Sequence, residues 1–151
     1  MIRRAWLRAG QRPALAQVRL SVLEDAARGF TIAVAMTRTV LIVDDHPSFR
    51  ASARMLLESE GFKVIGEAED GASALRAVEE LRPDVVLLDV QLPDIDGIEV
   101  AARLSENGSG PAIVLTSSRD LADLGLVRER SPVRGFIPKA ELSGAALEAL
   151  L

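Results

Sequence analysis

From Thr39 onward, short apolar runs alternate with longer segments whose apolar residues recur every three or four positions. A short run that is apolar throughout is typical of a strand buried on both faces of a sheet. Apolar residues three and four positions apart form one face of a helix. The pattern predicts strands at residues 40–43, 62–66, 85–88, 112–115 and 135–137, and helices between His46 and Gly61, at 71–81, 97–104 and 120–130, and from Ser143 onward.

The strict alternation of five strands with five helices indicates an α/β fold. It favours a parallel sheet with helices on both faces. Right-handed crossovers then place the carboxyl ends of all strands at one edge of the sheet. The ligand crevice of such a sheet lies at that edge, where the strand order reverses. The residues that follow the strands are therefore the candidates for chemistry.

Acidic, hydroxyl and amino side chains stand at these strand ends. The chain has only two lysines, so a lysine at such a position is not expected by chance. The set consists of Asp44 and Asp45 after the first strand, Asp89 after the third, Thr116 after the fourth and Lys139 after the fifth.

The composition excludes several classes of function. The 151 residues include no cysteine and one histidine. This excludes a disulfide framework, a thiolate zinc site and a cysteine nucleophile, and leaves little room for a histidine-rich metal centre. The length fits one domain. No run of 18 apolar residues occurs, so we expect a cytoplasmic protein without a membrane partner.

The net charge of −4 is distributed unevenly along the chain. Residues 1–36 hold six arginines and two acidic residues, a charge of +4, whereas the rest holds 12 basic and 20 acidic side chains, a charge of −8. An acidic domain binds nucleic acid poorly because phosphate contacts need clustered cations. We therefore expect no direct contact with nucleic acid.

The basic segment 1–36 is predicted to be an extension that is flexible or partly helical and lies outside the core. A dimerisation or docking helix is the alternative. The sequence MTRTVLIVDDH, which begins at Met36, also looks like a natural start. Residues 1–35 therefore need not belong to the natural protein.

The residue types at the strand ends indicate phosphoryl chemistry. Three carboxylates held close together repel one another and need a cation. Oxygen ligands without cysteine select a hard ion, Mg²⁺ or Mn²⁺. A carboxylate beside such an ion can attack phosphorus and form an aspartyl phosphate, while a lysine neutralises the phosphoryl oxygens.

Four stretches of the chain resemble the response-regulator receiver domains of two-component signalling: VLIVDDHPSFR at 40–50, DVVLLDVQLPDIDGIEV at 84–100, IVLTSS at 113–118 and GFIPKAEL at 135–142. The resemblance covers residues 39 to 151 and implies a receiver domain at 38–151. It implies a flavodoxin-like, doubly wound five-stranded parallel sheet with strand order 2-1-3-4-5. The amino-acid sequence of these stretches, especially GFIPKAEL, resembles receivers usually joined to a helix-turn-helix output domain, whereas this chain stops within or just after the last receiver helix.

The resemblance also implies a role for each site residue. Asp89 is the phosphoacceptor, and Asp45, Asp89 and the backbone carbonyl of Gln91 ligate Mg²⁺, with Asp44 acting through water. Lys139 pairs with Asp89 and then with the phosphoryl oxygens. Thr116 and Phe136 form the switch that alters the surface of the fourth helix, fifth strand and fifth helix.

The implied function is that of a phosphoacceptor switch. It takes a phosphoryl group from a sensor histidine kinase or a histidine phosphotransfer protein and acts on an unidentified downstream protein. A homodimer formed on phosphorylation is a further expectation. The chain would catalyse only its own phosphorylation and dephosphorylation, and so would not be an enzyme with an independent substrate.

Two departures from the usual receiver pattern affect details. The order Pro138-Lys139-Ala140 replaces the common Lys-Pro with its cis peptide bond, and Phe136 replaces the commoner tyrosine. Asp94 and Asp96 lie in a turn rich in proline and glycine, which favours a role in the turn over one as ligands. His46 stands beside two acids, but a single histidine is a weak metal signal.

Two other functions remain open from the sequence. A Mg²⁺-dependent phosphohydrolase also uses an aspartyl phosphate, but such enzymes typically space two acids as Asp-x-Asp, whereas Asp44 and Asp45 are adjacent. An interaction module that works without phosphorylation, or a fragment of a transcription regulator, is the second alternative. The complete set of strand-end residues argues against the module.

Overall fold

The computed structural model of the chain describes residues 18–21, 33–118 and 132–151. The chain divides into two compact units, residues 1–38 and 39–151. In the first unit, β1 (Val18–Ser21) pairs antiparallel with β2 (Ala33–Met36). These eight residues are extended, which differs from the flexible or partly helical state expected of residues 1–36. The remainder of that segment lies outside the described residues, and there the expectation stays a prediction.

The second unit is built on a five-stranded parallel sheet. Its spatial order is β4-β3-β5-β6-β7, which is the order 2-1-3-4-5 when counting starts at β3. The predicted flavodoxin-like, doubly wound sheet is thus confirmed. The strands are β3 (Thr39–Val43), β4 (Lys63–Ala68), β5 (Val85–Asp89), β6 (Ala112–Ser117) and β7 (Gly135–Pro138).

Helices follow the strands, and local signals fix their ends. Pro47 begins α1 (Pro47–Ser59), and Gly61 after it has a φ of +98°, a conformation that favours glycine. Asp70 caps α2 (Gly71–Leu81), and its carboxylate accepts a hydrogen bond from the amide of Ser73. The other described helices are α3 (Gly97–Leu104) and α4 (Gly144–Glu148). The predicted helix at 120–130 lies outside the described residues.

The sheet separates two apolar cores. Side chains alternate along each strand, so Leu41 and Val43 of β3 face one core while Val40 and Ile42 face the other. The first core receives α2 and α3 through Ala74 and Val100, among others. The second core receives α1 and α4 through Ala53, Leu57 and Leu147. Full burial of each Leu or Ile contributes roughly 1.5–3 kcal/mol, so the sheet that carries the strand ends is a rigid platform.

The amino end of the sheet is closed by a pair of polar residues. The hydroxyl of Thr39 donates to the carboxylate of Asp84 over 3.0 Å and accepts from the Asp84 amide over 2.9 Å. This reciprocal pair joins the start of β3 to the residue just before β5. Within residues 18–21, 33–118 and 132–151, no helix combines the length and apolar character needed to cross a membrane, and no peptide bond is cis.

Candidate functional site

The carboxyl ends of three strands bring the predicted acidic and basic residues into one pocket. Asp44 directly follows β3, Asp89 is the last residue of β5, and Lys139 directly follows β7. Asp44 and Asp89 are buried, with 0% and 3% of their surfaces exposed. Buried carboxylates need charged or hydrogen-bonding partners, and the strand ends supply them.

Lys139 bridges the two buried carboxylates. Its Nζ lies 2.6 Å from Oδ2 of Asp44 and 3.2 Å from Oδ2 of Asp89. The same Nζ lies 4.7 Å from the centre of the Phe49 ring, a cation–π contact. Burial alone would lower the pKa of Lys139, but the carboxylates of Asp44 and Asp89 outweigh it and raise the pKa above its ordinary value. The ammonium charge is therefore firmly held.

The two buried carboxylates differ in their ionisation. Burial raises the pKa of Asp89, and the nearby charge of Asp44 adds to the rise, while the amide of Gln91 and the ammonium of Lys139 oppose it. Burial also works against ionised Asp44, but hydrogen bonds from Lys139 and from the backbone of His46 outweigh burial and lower the pKa of Asp44. Of the two buried carboxylates, the ionised form of Asp44 is therefore favoured, and the ionised form of Asp89 is disfavoured.

Asp45 and His46 complete a group that could hold a metal ion. One ligand atom each from Asp44, Asp45, His46 and Asp89 lies within 4.8 Å of the others. The Asp45 side chain is 38% exposed, so this side of the pocket opens to solvent. Carboxylate oxygens suit hard divalent cations, so the donor set fits the type of ion expected from the sequence.

Thr116 lies next to the acidic group and is fully buried. It stands opposite Asp89 in the pairing of β5 with β6. Its Oγ1 has no hydrogen-bond partner among the residues that the structure describes. A buried hydroxyl without a partner costs about 1–3 kcal/mol, so its retention beside Asp89 points to a ligand that it can bond.

Gln91 contacts the acidic pocket, whereas Phe136 packs against one of the apolar cores. The backbone amide of Gln91 donates to Oδ1 of Asp89 over 3.1 Å. Phe136 is half-buried and packs against the core that contains Leu115 and Val100. It is therefore part of the packing between β7 and the α2/α3 face. Its expected role as a switch stays a prediction.

The loop after β5 is held by backbone contacts and by the two acids expected to serve the turn. The amide of Gly97 donates to the carbonyl of Val90 over 2.8 Å. A Cβ atom at Gly97 would meet the carbonyl oxygen of Asp89, so only glycine fits. Asp94 accepts hydrogen bonds from the amides of Gly71 and Ala72 at the start of α2, and Asp96 caps α3. Both acids thus accept hydrogen bonds from backbone amides at the start of a helix.

Two neighbours of the pocket were missed as site residues in the sequence. Arg50 donates to the carbonyl of Asp44 over 2.7 Å and to Glu67 over 3.1 Å. Phe49, which lies in the helix predicted between His46 and Gly61, also contacts Lys139. Both lie in the first turn of α1, directly after the DDHP segment, and that position was the available signal.

Comparison with known proteins places this geometry in context. Residues 40–149 match the family model described as the response regulator receiver domain. BvgA of Bordetella pertussis, a positive transcription regulator of virulence factors, is 38% identical over 106 residues, which are 70% of this chain and 51% of BvgA. The DNA-binding response regulator MtrA of Mycolicibacterium smegmatis is 44% identical over 93 residues, 60% of this chain and 40% of MtrA.

A solved structure agrees with these relatives. The signal receiver domain of NarL from Mycobacterium tuberculosis is 33% identical and superimposes with a TM-score of 0.67. The match covers 76% of this chain and 96% of the NarL domain. In contrast, the chain spans about half the length of the curated relative BvgA. The similarity is therefore to the receiver part of such proteins.

Proposed function

The chain belongs to the response-regulator receiver domain family, and on that basis we propose that Asp89 is its phosphoacceptor. The donor is a sensor histidine kinase or a histidine phosphotransfer protein. Phosphorylated Asp89 then changes the surface presented to a downstream protein. Receiver domains act as signalling switches, so the chain works without turning over an independent substrate.

The observation that carries this proposal is the convergence of Asp44, Asp89 and Lys139. The ammonium of Lys139 lies 2.6 Å from one buried carboxylate and 3.2 Å from the other. Residues 44, 89 and 139 are far apart along the chain, so only the sheet brings them together. Burial of this many charges costs free energy, which is typical of a functional site.

The chemistry follows from the partners of each group. A carboxylate oxygen of Asp89 attacks phosphorus, and the bond from phosphorus to the donor nitrogen breaks. Lys139 is already within 3.2 Å of Asp89, so its ammonium neutralises charge that builds on the phosphoryl oxygens. Because burial disfavours the ionised form of Asp89, conversion to an acyl phosphate moves the charge outward onto the phosphoryl group.

A divalent cation fits the donor set, and we propose that this cation is Mg²⁺ or Mn²⁺. Asp45, Asp89 and the backbone carbonyl of Gln91 would hold the ion, with Asp44 acting through water. Such an ion neutralises negative charge on phosphoryl oxygens. The fit is supported by the close group of carboxylate oxygens and by the buried, unpartnered hydroxyl of Thr116 beside them.

Thr116 and Phe136 are assigned to the response. The hydroxyl of Thr116 donates to a phosphoryl oxygen on Asp89 and so gains the partner that it lacks. In the pairing of β6 with β7, Phe136 stands opposite Leu115. Leu115 is the residue directly before Thr116 in β6. A shift of Thr116 therefore changes the packing around Phe136 and the surface around β7. A homodimer formed through that surface belongs to the same proposal.

Phosphorylation by a small phosphodonor tests the proposal directly. The intact chain is incubated with acetyl phosphate and Mg²⁺, and its mass is measured. We expect a gain of about 80 Da, the mass of one phosphoryl group, and no gain for Asp89→Asn. Asp94→Asn is the matched control, because Asp94 is an acid of the same turn region whose carboxylate accepts hydrogen bonds from backbone amides at the start of α2. It should retain the adduct.

Absence of an adduct in the wild-type chain with several phosphodonors would overturn the assignment of Asp89. Steady hydrolysis of a phosphomonoester would instead favour the phosphohydrolase alternative. A partner that binds the wild type and Asp89→Asn equally before and after donor treatment would favour the module that works without phosphorylation.

A further inference from the structure

His46 lies closer to the acidic pocket than its exposed position suggests. Its Nδ1 is 3.0 Å from Oδ1 of Asp44 and 2.9 Å from Oδ1 of Asp45. Its backbone amide also donates to Oδ1 of Asp44 over 2.8 Å. The side chain is 65% exposed, so it stands at the mouth of the pocket with one ring nitrogen turned inward.

The spacing of these atoms suits shared coordination of one ion. Ligand atoms about 2.1 Å from a metal on adjacent corners of an octahedron lie about 3.0 Å apart. The separations between Nδ1 and the two carboxylate oxygens, 3.0 and 2.9 Å, are hydrogen-bond distances without the ion and also match such an edge. One oxygen of Asp89 belongs to the same group within 4.8 Å. Small movements of exposed Asp45 and His46 would bring their ligand atoms, with that of Asp89, around a single cation that Asp44 contacts through water.

A second observation points to a ligand in this pocket. The Oγ1 of Thr116, a residue with 0% exposure that stands opposite Asp89, has no hydrogen-bond partner among the described residues. The backbone of His46 is fixed because its amide is bound to Asp44 and Pro47 begins α1 directly after it, and the ring is oriented by the contact of Nδ1 with Oδ1 of Asp44. Little conformational freedom is lost when the ring coordinates an ion.

The type of donor decides which ion gains from His46. Mg²⁺ prefers oxygen ligands and retains much of its water, whereas imidazole nitrogen suits Zn²⁺, Co²⁺ and Ni²⁺. We infer that His46 is a metal ligand through Nδ1, and that it makes the pocket accept a divalent transition cation more strongly than carboxylates alone would. In the neutral ring the proton then sits on Nε2. This inference rests on the proposed function only in that both use the same carboxylates.

The single histidine of the chain permits a direct test. The full chain, prepared without a polyhistidine tag and labelled with ¹⁵N-histidine, contains one imidazole. Addition of Zn²⁺ should move its Nδ1 resonance strongly, and addition of Mg²⁺ should not. Calorimetric titration with Co²⁺ and with Mg²⁺ then compares the wild type with His46→Gln. We expect at least about tenfold weaker Co²⁺ binding in His46→Gln and Mg²⁺ binding within about twofold of the wild type.

Two results would overturn the inference. One is unchanged or tighter Co²⁺ binding in His46→Gln, and the other is an equal loss of Co²⁺ and Mg²⁺ binding. Asp45→Asn is the control for the shared carboxylates and should weaken both ions. Phosphorylation of His46→Gln by acetyl phosphate with Mg²⁺ separates the two proposals. An adduct there with no effect on Co²⁺ would reject the role of His46 and leave the phosphoacceptor assignment intact.

Discussion

Two buried threonines in this protein differ in one respect, the satisfaction of the hydroxyl. Thr39 both donates to and accepts from Asp84, whereas the Oγ1 of Thr116 has no partner among the described residues. Both side chains are almost fully buried. A buried hydroxyl contributes to stability only when it is hydrogen bonded. The hydroxyl of Thr116, which has no partner among the described residues, therefore reduces the stability of the folded state.

This contrast predicts opposite effects of the same substitution. Thr116→Val keeps the shape and removes an unsatisfied hydroxyl, so we expect the free energy of unfolding to rise by about 1 kcal/mol. Thr39→Val leaves the Asp84 amide without its acceptor and removes one of two hydrogen bonds from Thr39 to the Asp84 carboxylate, so we expect a fall of about 1–2 kcal/mol. Urea unfolding of the unphosphorylated proteins measures both. Equal destabilisation of the two variants would show that Thr116 has a partner in the resting state.

The elements around the site are connected by contacts between loops and helix ends. Asp94, in the loop after β5, accepts hydrogen bonds of 2.7 and 2.9 Å from the first amides of α2. Ile95 packs so closely on Gly71 that a Cβ atom there would lie 2.6 Å from Cδ1 of Ile95. The loop that carries Gln91 is thus attached to the start of α2, the helix that follows β4.

The charge of Asp94 makes this connection dependent on pH. The amides of Gly71 and Ala72 lower the pKa of Asp94 to about 2, below its ordinary value of 3.8. A carboxylate with a lowered folded-state pKa stabilises the fold above its unfolded pKa and loses that contribution as pH falls through the folded pKa. We therefore expect the wild type to be more stable than Asp94→Asn at pH 6, with the difference closing between about pH 4 and pH 2. Denaturant unfolding at several pH values measures it, and parallel stability curves would contradict the assignment.

Close packing of α3 against the end of β5 gives a second prediction at this scale. A Cβ atom at Gly97 would meet the Asp89 carbonyl oxygen and lie 2.9 Å from the Cα of Val90, and backbone cannot give way cheaply. Gly97→Ala should cost about 1–3 kcal/mol of stability and also lower the yield of phosphorylated Asp89, because the proposed phosphoacceptor itself must shift.

Gly108→Ala is the matched control for that variant. Gly108 has a φ of +70° and open space around a Cβ atom, so alanine there is strained but collides with nothing. It should cost about 1 kcal/mol and leave phosphorylation unchanged. Equal phosphorylation yields in the two variants, at equal occupancy of the folded state, would show that Gly97 acts through stability alone.

The parts of the fold that the sequence predicted are those governed by local signals. The three central strands each contain a run of four apolar residues because both faces are covered, and Asp70 and Gly61 mark helix ends by capping chemistry. The strand predicted at 62–66 runs instead from Lys63 to Ala68. It lies at the edge of the sheet, and Ile65 is bypassed where Val40 and Leu41 pair with Val64 and Gly66. The end of β4 is set by its pairing with β3, which the local sequence pattern does not reveal.

The predicted site residues were identified by their positions at strand ends, and their contacts depended on the tertiary fold. The convergence of the acids and the lysine could be predicted because parallel strands all end at one edge of the sheet. The position of the His46 ring was not, because it depends on a turn in which one amide binds Asp44. Arg50 and Arg54 converge on Glu67 across α1 and β4, a contact that needs the packed helix to bring them together.

At the scale of the whole molecule, the described parts of residues 39–151 include both apolar cores and the acidic pocket. The described residues of the two cores lie between 40 and 151. The N-terminal amide of α4, at Gly144, binds the carboxylate of Glu60 at the end of α1 over 2.7 Å, so the last described helix is fixed to the first. The pocket likewise uses residues between 44 and 139.

A chain that begins at Met36 should therefore fold and function like the longer one. The charge of +4 on residues 1–36 is removed, but none of the described residues of either core or of the pocket is lost. We expect an unfolding free energy within about 0.5 kcal/mol of the full chain, as for changes away from packed groups. Mass spectrometry after acetyl phosphate treatment should give the same adduct yield. Loss of cooperative unfolding in the shortened chain would show that the basic segment stabilises the sheet, and a lower adduct yield at unchanged stability would show that it acts on the pocket.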